Sequence, residues 1–161
     1  MSQTLPAPAE RVLAAATARG LKIAIVETRA SARSAEEAAA AVGAQVGQIV
    51  KSLVFRGASS GTAHLLLVSG ANRVDEAGME ALVGEALERP DAAFVRAATG
   101  FAIGGIPPFG HASPLPVFMD EDLFAHATVW AAAGTPTHVF ETVPLQLRSA
   151  TGARVGRVKP A

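Results

Sequence analysis

The sequence predicts an α/β domain with a mixed, largely antiparallel sheet and flanking helices. Three observations carry that prediction. Helical periodicities alternate with runs of short β-branched segments joined by tight turns. Residues 48–56 and 64–69 read as strands around a turn-forming 57–61 stretch, so 48–69 is a hairpin. A doubly wound parallel sheet would need a crossover helix there, and there is no room for one. Finally, 161 residues, 50% hydrophobic and 17% charged, suit a single domain. A chain of this length buries roughly two thirds of its unfolded surface on folding.

The elements come in order along the chain. Residues 1–8 read as a loose segment. Ala9, Val12, Leu13 and Ala16 have helical spacing, with Pro8 near the first turn and Gly20 as a left-handed end. Residues 22–27 favour a strand. Ser34 and Glu37 form a capping box for an Ala-rich helix closing at Gly43. After the hairpin, Asp75 heads a predicted helix through Met79, Leu82 and Leu87. Strand-like pieces recur at 93–96, 101–104, 115–119, 127–132 and 138–143. A short helix is expected at 121–126 and another after Pro144. Residues 151–161 form a basic C-terminal segment within the same domain, 1–161.

Composition narrows the function. Lys+Arg and Asp+Glu are 14 each, so the net charge is zero. Non-specific coating of nucleic acid needs a positive excess, so any such contact is local. The absence of cysteine removes disulfides, thiolate nucleophiles and Cys-ligated zinc. The start, MSQTLPAPAERV, lacks the basic and apolar runs of a signal peptide, and the apolar run 65–68 is too short to span a bilayer. The expectation is a cytoplasmic protein.

Two motifs mislead. Gly57-Ala-Ser59-Ser60-Gly61 matches G-x-S-x-G, but a strand comes next where a nucleophile elbow requires a helix. A hairpin turn is the better reading; a serine esterase resting on Ser59 ranks third among the functions considered. Residues 105–111 have P-loop spacing with His111 where lysine belongs. His64, His111, His126 and His138 show no helical i, i+4 pair, so no metal is expected.

Two features stand out. In Thr99-Gly-Phe-Ala-Ile-Gly-Gly-Ile-Pro-Pro-Phe-Gly110, adjacent glycines permit unusual backbone angles or close approach, and Pro107 and Pro108 stiffen the second half of the loop. Such a loop either presents the amides of Gly104, Gly105 and Ile106 to an oxyanion or makes a tight corner under Phe101 and Phe109. Lys51 interrupts an apolar strand on the face of Ile49, Leu53 and Phe55. A lysine there must reach water, a carboxylate or an anionic ligand.

On these residues the chain resembles the YbaK/ProX-type family of free-standing aminoacyl-tRNA deacylases, which are similar to the editing domain inserted in bacterial prolyl-tRNA synthetases. The matching segments are SAEEAAAAVGAQVGQIVKSLVF (34–55), LLLVSGANRVD (65–75), TGFAIGGIPPFGH (99–111) and WAAAGTPTHVFETVPLQL (130–147). The resemblance implies a mixed-sheet α/β editing fold. It also implies hydrolysis of the ester joining a wrong amino acid to tRNA, commonly proline tRNA, without a cofactor.

Carried over, Lys51 matches the functional lysine, Gly104 and Gly105 the glycine loop, and Gly134 a glycine near the pocket. Some members have a tyrosine on the first strand; this chain has none, and Thr28 falls close to that position. Val50, Ile106, Phe109 and Ala132 are candidate pocket walls, and Ser52, Gly110 and His111 are further substrate-binding candidates. Arg148, Arg154, Arg157 and Lys159 are candidate tRNA phosphate contacts. The implied partners are the acceptor end of aminoacyl-tRNA and prolyl-tRNA synthetase, with no membrane and no DNA. The alternative is a non-catalytic module of the same fold that binds tRNA or a synthetase.

Overall fold

The structure, a computed structural model, describes residues 4–29 and 34–161. Helix α1 (Ala7–Ala18) begins inside the segment expected to be loose, because Pro8 sits in the first turn, where its missing amide costs nothing. Residues 1–3 of that segment lie outside the described residues. Ala9, Val12 and Ala16 are buried, whereas Leu13 is turned to solvent. Strand β1 (Ile25–Glu27) comes next. Helix α2 (Ala35–Val42) is capped by Ser34, whose Oγ accepts the Glu37 amide at 3.1 Å. The reciprocal arm differs from expectation: the Glu37 carboxylate takes the Ser34 hydroxyl, not its amide.

The hairpin forms as expected from β2 (Val50–Gly57) and β3 (Ala63–Ser69), antiparallel with Lys51 opposite Val68. Three expectations fail beyond it. Asp75 caps only a turn leading to α3 (Glu80–Val83), which Gly84 ends with a positive φ, and Leu87 lies in strand β4 (Leu87–Glu88). Residues 93–96 belong to helix α4 (Ala92–Thr99), because Asp91 accepts the Phe94 amide at 2.8 Å and caps it. Residues 101–104 form no strand. The remaining elements are β5 (Val117–Asp120), a 3-10 turn over 121–125, β6 (Val129–Ala132), β7 (His138–Thr142), α5 (Pro144–Thr151) and β8 (Arg154–Gly156).

The strands form a five-stranded sheet, β4-β2-β3-β5-β8, and a three-stranded sheet, β1-β7-β6. Pairing is antiparallel except for β3–β5 and β5–β8. Strand β3 is buried on both faces. Leu65 and Leu67 join the main core with Val12, Val95, Phe101, Phe140 and Leu147, while Leu66 and Val68 join a smaller one with Phe55, Met79, Phe118 and Val158. Among the described residues, strand β4 covers only Arg56 and Gly57, so the first half of β2 is an open edge there. The second sheet meets that edge through a parallel bridge from Ile49 to Trp130.

Candidate active site

A cavity of about 410 Å³ occupies this junction. Lys51, Val50 and Ser52 line it from β2, Glu36 from α2, Trp130 and Ala132 from β6, and Ile103, Gly104 and Ile106 from the glycine loop. Lys51 stays on the face of Leu53 and Phe55, but lies where the smaller core thins out. Its Nζ donates to the Asn72 carbonyl at 2.5 Å. Partial burial lowers its pKa from the ordinary lysine value, and the charges of Glu36 and Asp120 oppose that shift.

The β2–β3 register controls what else the edge offers. Hydrogen bonds Gly57 N to Thr62 O and Gly70 N to Ile49 O place the bonded pairs at odd positions of β2. The backbone N–H and C=O of Ser52 therefore point away from β3, toward the open edge. Ser52 Oγ is buried and has no hydrogen-bond partner among the described residues. A buried, unpaired hydroxyl costs about 1–3 kcal/mol, so a group that supplies its missing bond is favoured there.

The two loop glycines divide their work. A Cβ on Gly105 would stand 2.7 Å from the Thr135 backbone, and its amide donates to Ala102 O at 3.1 Å. Gly105 is thus the buttress that seats the loop on residues 134–135, and it does not line the cavity. Gly104, at φ +101°, is exposed on the cavity side. The amides of Gly104 and Ile106 make no hydrogen bond among the described residues.

Other expected residues fall elsewhere. Gly134 takes φ +96° and lets the start of α1 pack close, its absent Cβ 2.7 Å from Pro8. Gly110 similarly abuts Ala15. Phe109 is a core residue against Phe140, and with His111 it lines a separate hollow of about 280 Å³. His111 Nε2 is engaged with the Pro107 carbonyl at 2.7 Å. Burial lowers the His111 pKa. Thr28 is buried, with its amide on Thr137 O at 2.7 Å, and is not a lining residue.

The basic tail residues are engaged by neighbouring groups. Arg148 donates to Ala153 O, Arg154 to Leu82 O, and Arg157 to Lys159 O and Pro160 O, while Lys159 pairs with Asp122 at 3.1 Å.

The G-x-S-x-G turn is not a nucleophile elbow. The Ser59 and Ser60 amides both donate to Glu85 Oε1 at 2.9 Å, and Glu85 Oε2 meets His64 Nε2 at 2.9 Å. No histidine bonds Ser59 among the described residues. No group of His, Asp or Glu among them is arranged to hold a metal ion, and no helix among them is long and apolar enough to cross a membrane.

The model of the aminoacyl-tRNA editing domain family matches residues 29–150. The chain belongs to that family. A solved structure proposed to be a trans-editing enzyme for prolyl-tRNA synthetase is 50% identical, with a TM-score of 0.92 over 98% of this chain and 100% of that one. Another, from work on grafting linear epitopes onto scaffold proteins, is 49% identical with the same TM-score, over 98% of this chain and 100% of that one. Protein YwhH of Bacillus subtilis (strain 168) is 29% identical over 131 residues, 81% of this chain and 83% of its own.

The editing domain therefore has the expected fold, and its cavity gathers Lys51, Val50, Ser52, Gly104, Ile106 and Ala132 from the expected set. Glu36, Asn72, Ile103 and Trp130 were not singled out in the sequence. Glu36 could have been found two residues after the Ser34 cap; Asn72 carried no local signal.

Proposed function

We propose that the chain is a free-standing trans-editing hydrolase, folded as one domain over 1–161. It removes a small wrong amino acid from mischarged tRNA, with proline tRNA as the preferred carrier. The observation that carries this reading is one cavity lined by Lys51 on one side and by Gly104 and Ile106 of the glycine loop on the other. At about 410 Å³ it falls within the range of small-molecule pockets.

An aminoacyl ester is already activated, so no strong nucleophile is required. Water, positioned by the ribose hydroxyl beside the ester, adds to the carbonyl carbon. The resulting oxyanion is received by the Gly104 and Ile106 amides, each donor being worth about 3–4 kcal/mol. The intermediate then collapses, the C–O bond to the ribose breaks, and the ribose oxygen leaves with a proton. Lys51 holds the terminal phosphate or ribose end.

Selection is steric. Val50, Ile106 and Ala132 exclude larger side chains, since one methylene in an apolar pocket separates substrates by only ~1–3 kcal/mol. Arg148, Arg154 and Arg157 meet phosphates of the tRNA body, and prolyl-tRNA synthetase is the partner whose errors are corrected in the cytoplasm. The test is a panel of proline, alanine and threonine tRNAs, each correctly and wrongly charged, assayed for ester release. Release from wrongly charged proline tRNA with prolyl-tRNA spared is expected. Release from none of them would overturn the proposal.

A further inference from the structure

We infer that Asn72 is a positioning residue for Lys51, holding the acceptor that aims the ammonium into the cavity; this rests on the function proposed above. Asn72 lies in the turn after β3, its own amide on Ser69 O at 2.9 Å. Its side-chain Nδ2 donates to two carboxylates, Asp120 Oδ2 at 2.9 Å and Asp122 Oδ2 at 2.8 Å. Asp120 is fully buried and also accepts the amides of Ser69 at 3.1 Å and Asp122 at 3.0 Å. A buried anion with this many donors is a fixed point. The Asn72 carbonyl is thereby clamped from the side-chain end and from the amide end.

Lysine has three donors on a flexible stem. One Lys51 donor goes to this clamped carbonyl, which leaves two for a ligand in the cavity. The chain of contacts continues outward through Asp122 to Lys159, so Lys159 is linked to the cavity lysine through Asp122 and Asn72. Asp120 adds a negative charge that favours the charged ammonium despite its burial.

The test uses the full chain carrying ¹³C-lysine, in which Lys22, Lys51 and Lys159 are the only lysines. The Lys51 titration is followed by NMR in wild type and Asn72→Ala. With the side-chain clamp released, the main-chain carbonyl of residue 72 remains but is no longer held against the ammonium. The hydrogen bond weakens, and Lys51 is expected to titrate at lower pH than in wild type. An unmoved or raised midpoint overturns the proposal. Because this readout needs no substrate, it is independent of the editing function.

The second measurement is a cycle on deacylation of proline tRNA mischarged with alanine. Asn72→Ala is expected to lose about tenfold in kcat/KM beside an intact Lys51, and nothing further in a Lys51→Ala background. Equal losses in both backgrounds would mean a purely structural role and would overturn it. If Asn72→Ala does not fold, Asp122→Ala removes one of the two acceptors and should shift both readouts in the same directions by less; no shift in either would again overturn the proposal.

Discussion

Burial disfavours the charge on Lys51 while Glu36 and Asp120 support it, and this gives a pH signature. Burial lowers its folded pKa, so between the folded and unfolded values the unfolded chain holds the extra proton. Linkage then makes stability rise with pH across that window. For activity the sign is opposite: the Lys51-dependent rate is lost as pH rises through the lowered value. Glu36→Gln removes a charge that supports the ammonium, so the alkaline limb of the pH–rate profile should move to lower pH. An unchanged limb would detach Lys51 from it.

The loop glycines give a stability contrast. Gly105→Ala forces a Cβ to 2.7 Å from the Thr135 backbone and should cost about 1–3 kcal/mol in denaturant unfolding. Gly104→Ala meets no close neighbour and is left with the φ strain of about 1–2 kcal/mol. Lys51 was legible because a charge in an apolar strand violates the local pattern. Asn72 was not, because its meaning lies in Asp120, 48 residues away.

Elements were legible where local chemistry and tertiary pairing agree. The β2–β3 hairpin arises from two β-branched runs around glycines. Helix α4 was misread because Phe94 and Val95 favour strands on propensity, while the Asp91 cap and Gly100 at φ +80° decide the segment as a helix. Glu85 shows a second tertiary effect: it plugs the hairpin turn, and its hydrogen bonds with Ser60, His64 and Ser59 hold its pKa down from 4.5 to about 2. A depressed carboxylate stabilises the fold above its unfolded pKa, and that stability is lost as pH falls through the window from 4.5 to about 2. Glu85→Gln should therefore lower the melting temperature at neutral pH and flatten its fall across that window. A variant with the wild-type acid profile would contradict this.

At the scale of the molecule, two sheets meet along a strand that β4 leaves half uncovered, and the cavity is the consequence. The sheet class was legible from the hairpin, but the division into two sheets was not, since it depends on pairings such as β1 with β7 across more than a hundred residues. With a net charge of zero, the proposed tRNA binding rests on a few local phosphate contacts. A log–log plot of affinity against salt should have a shallow slope, of magnitude about 2–4, set by a few phosphates. Arg148→Ala, Arg154→Ala and Arg157→Ala should each reduce it by about 1. A slope unchanged in all three would place the tRNA body on another face.

The most direct test of the central claim is single-turnover deacylation of mischarged proline tRNA by wild type and Lys51→Ala at matched folded concentration, with far-UV circular dichroism as the control. The account predicts rapid ester release by wild type and near-background release by a folded Lys51→Ala. Full activity in the folded variant would remove the reacting ester from the cavity between Lys51 and Gly104.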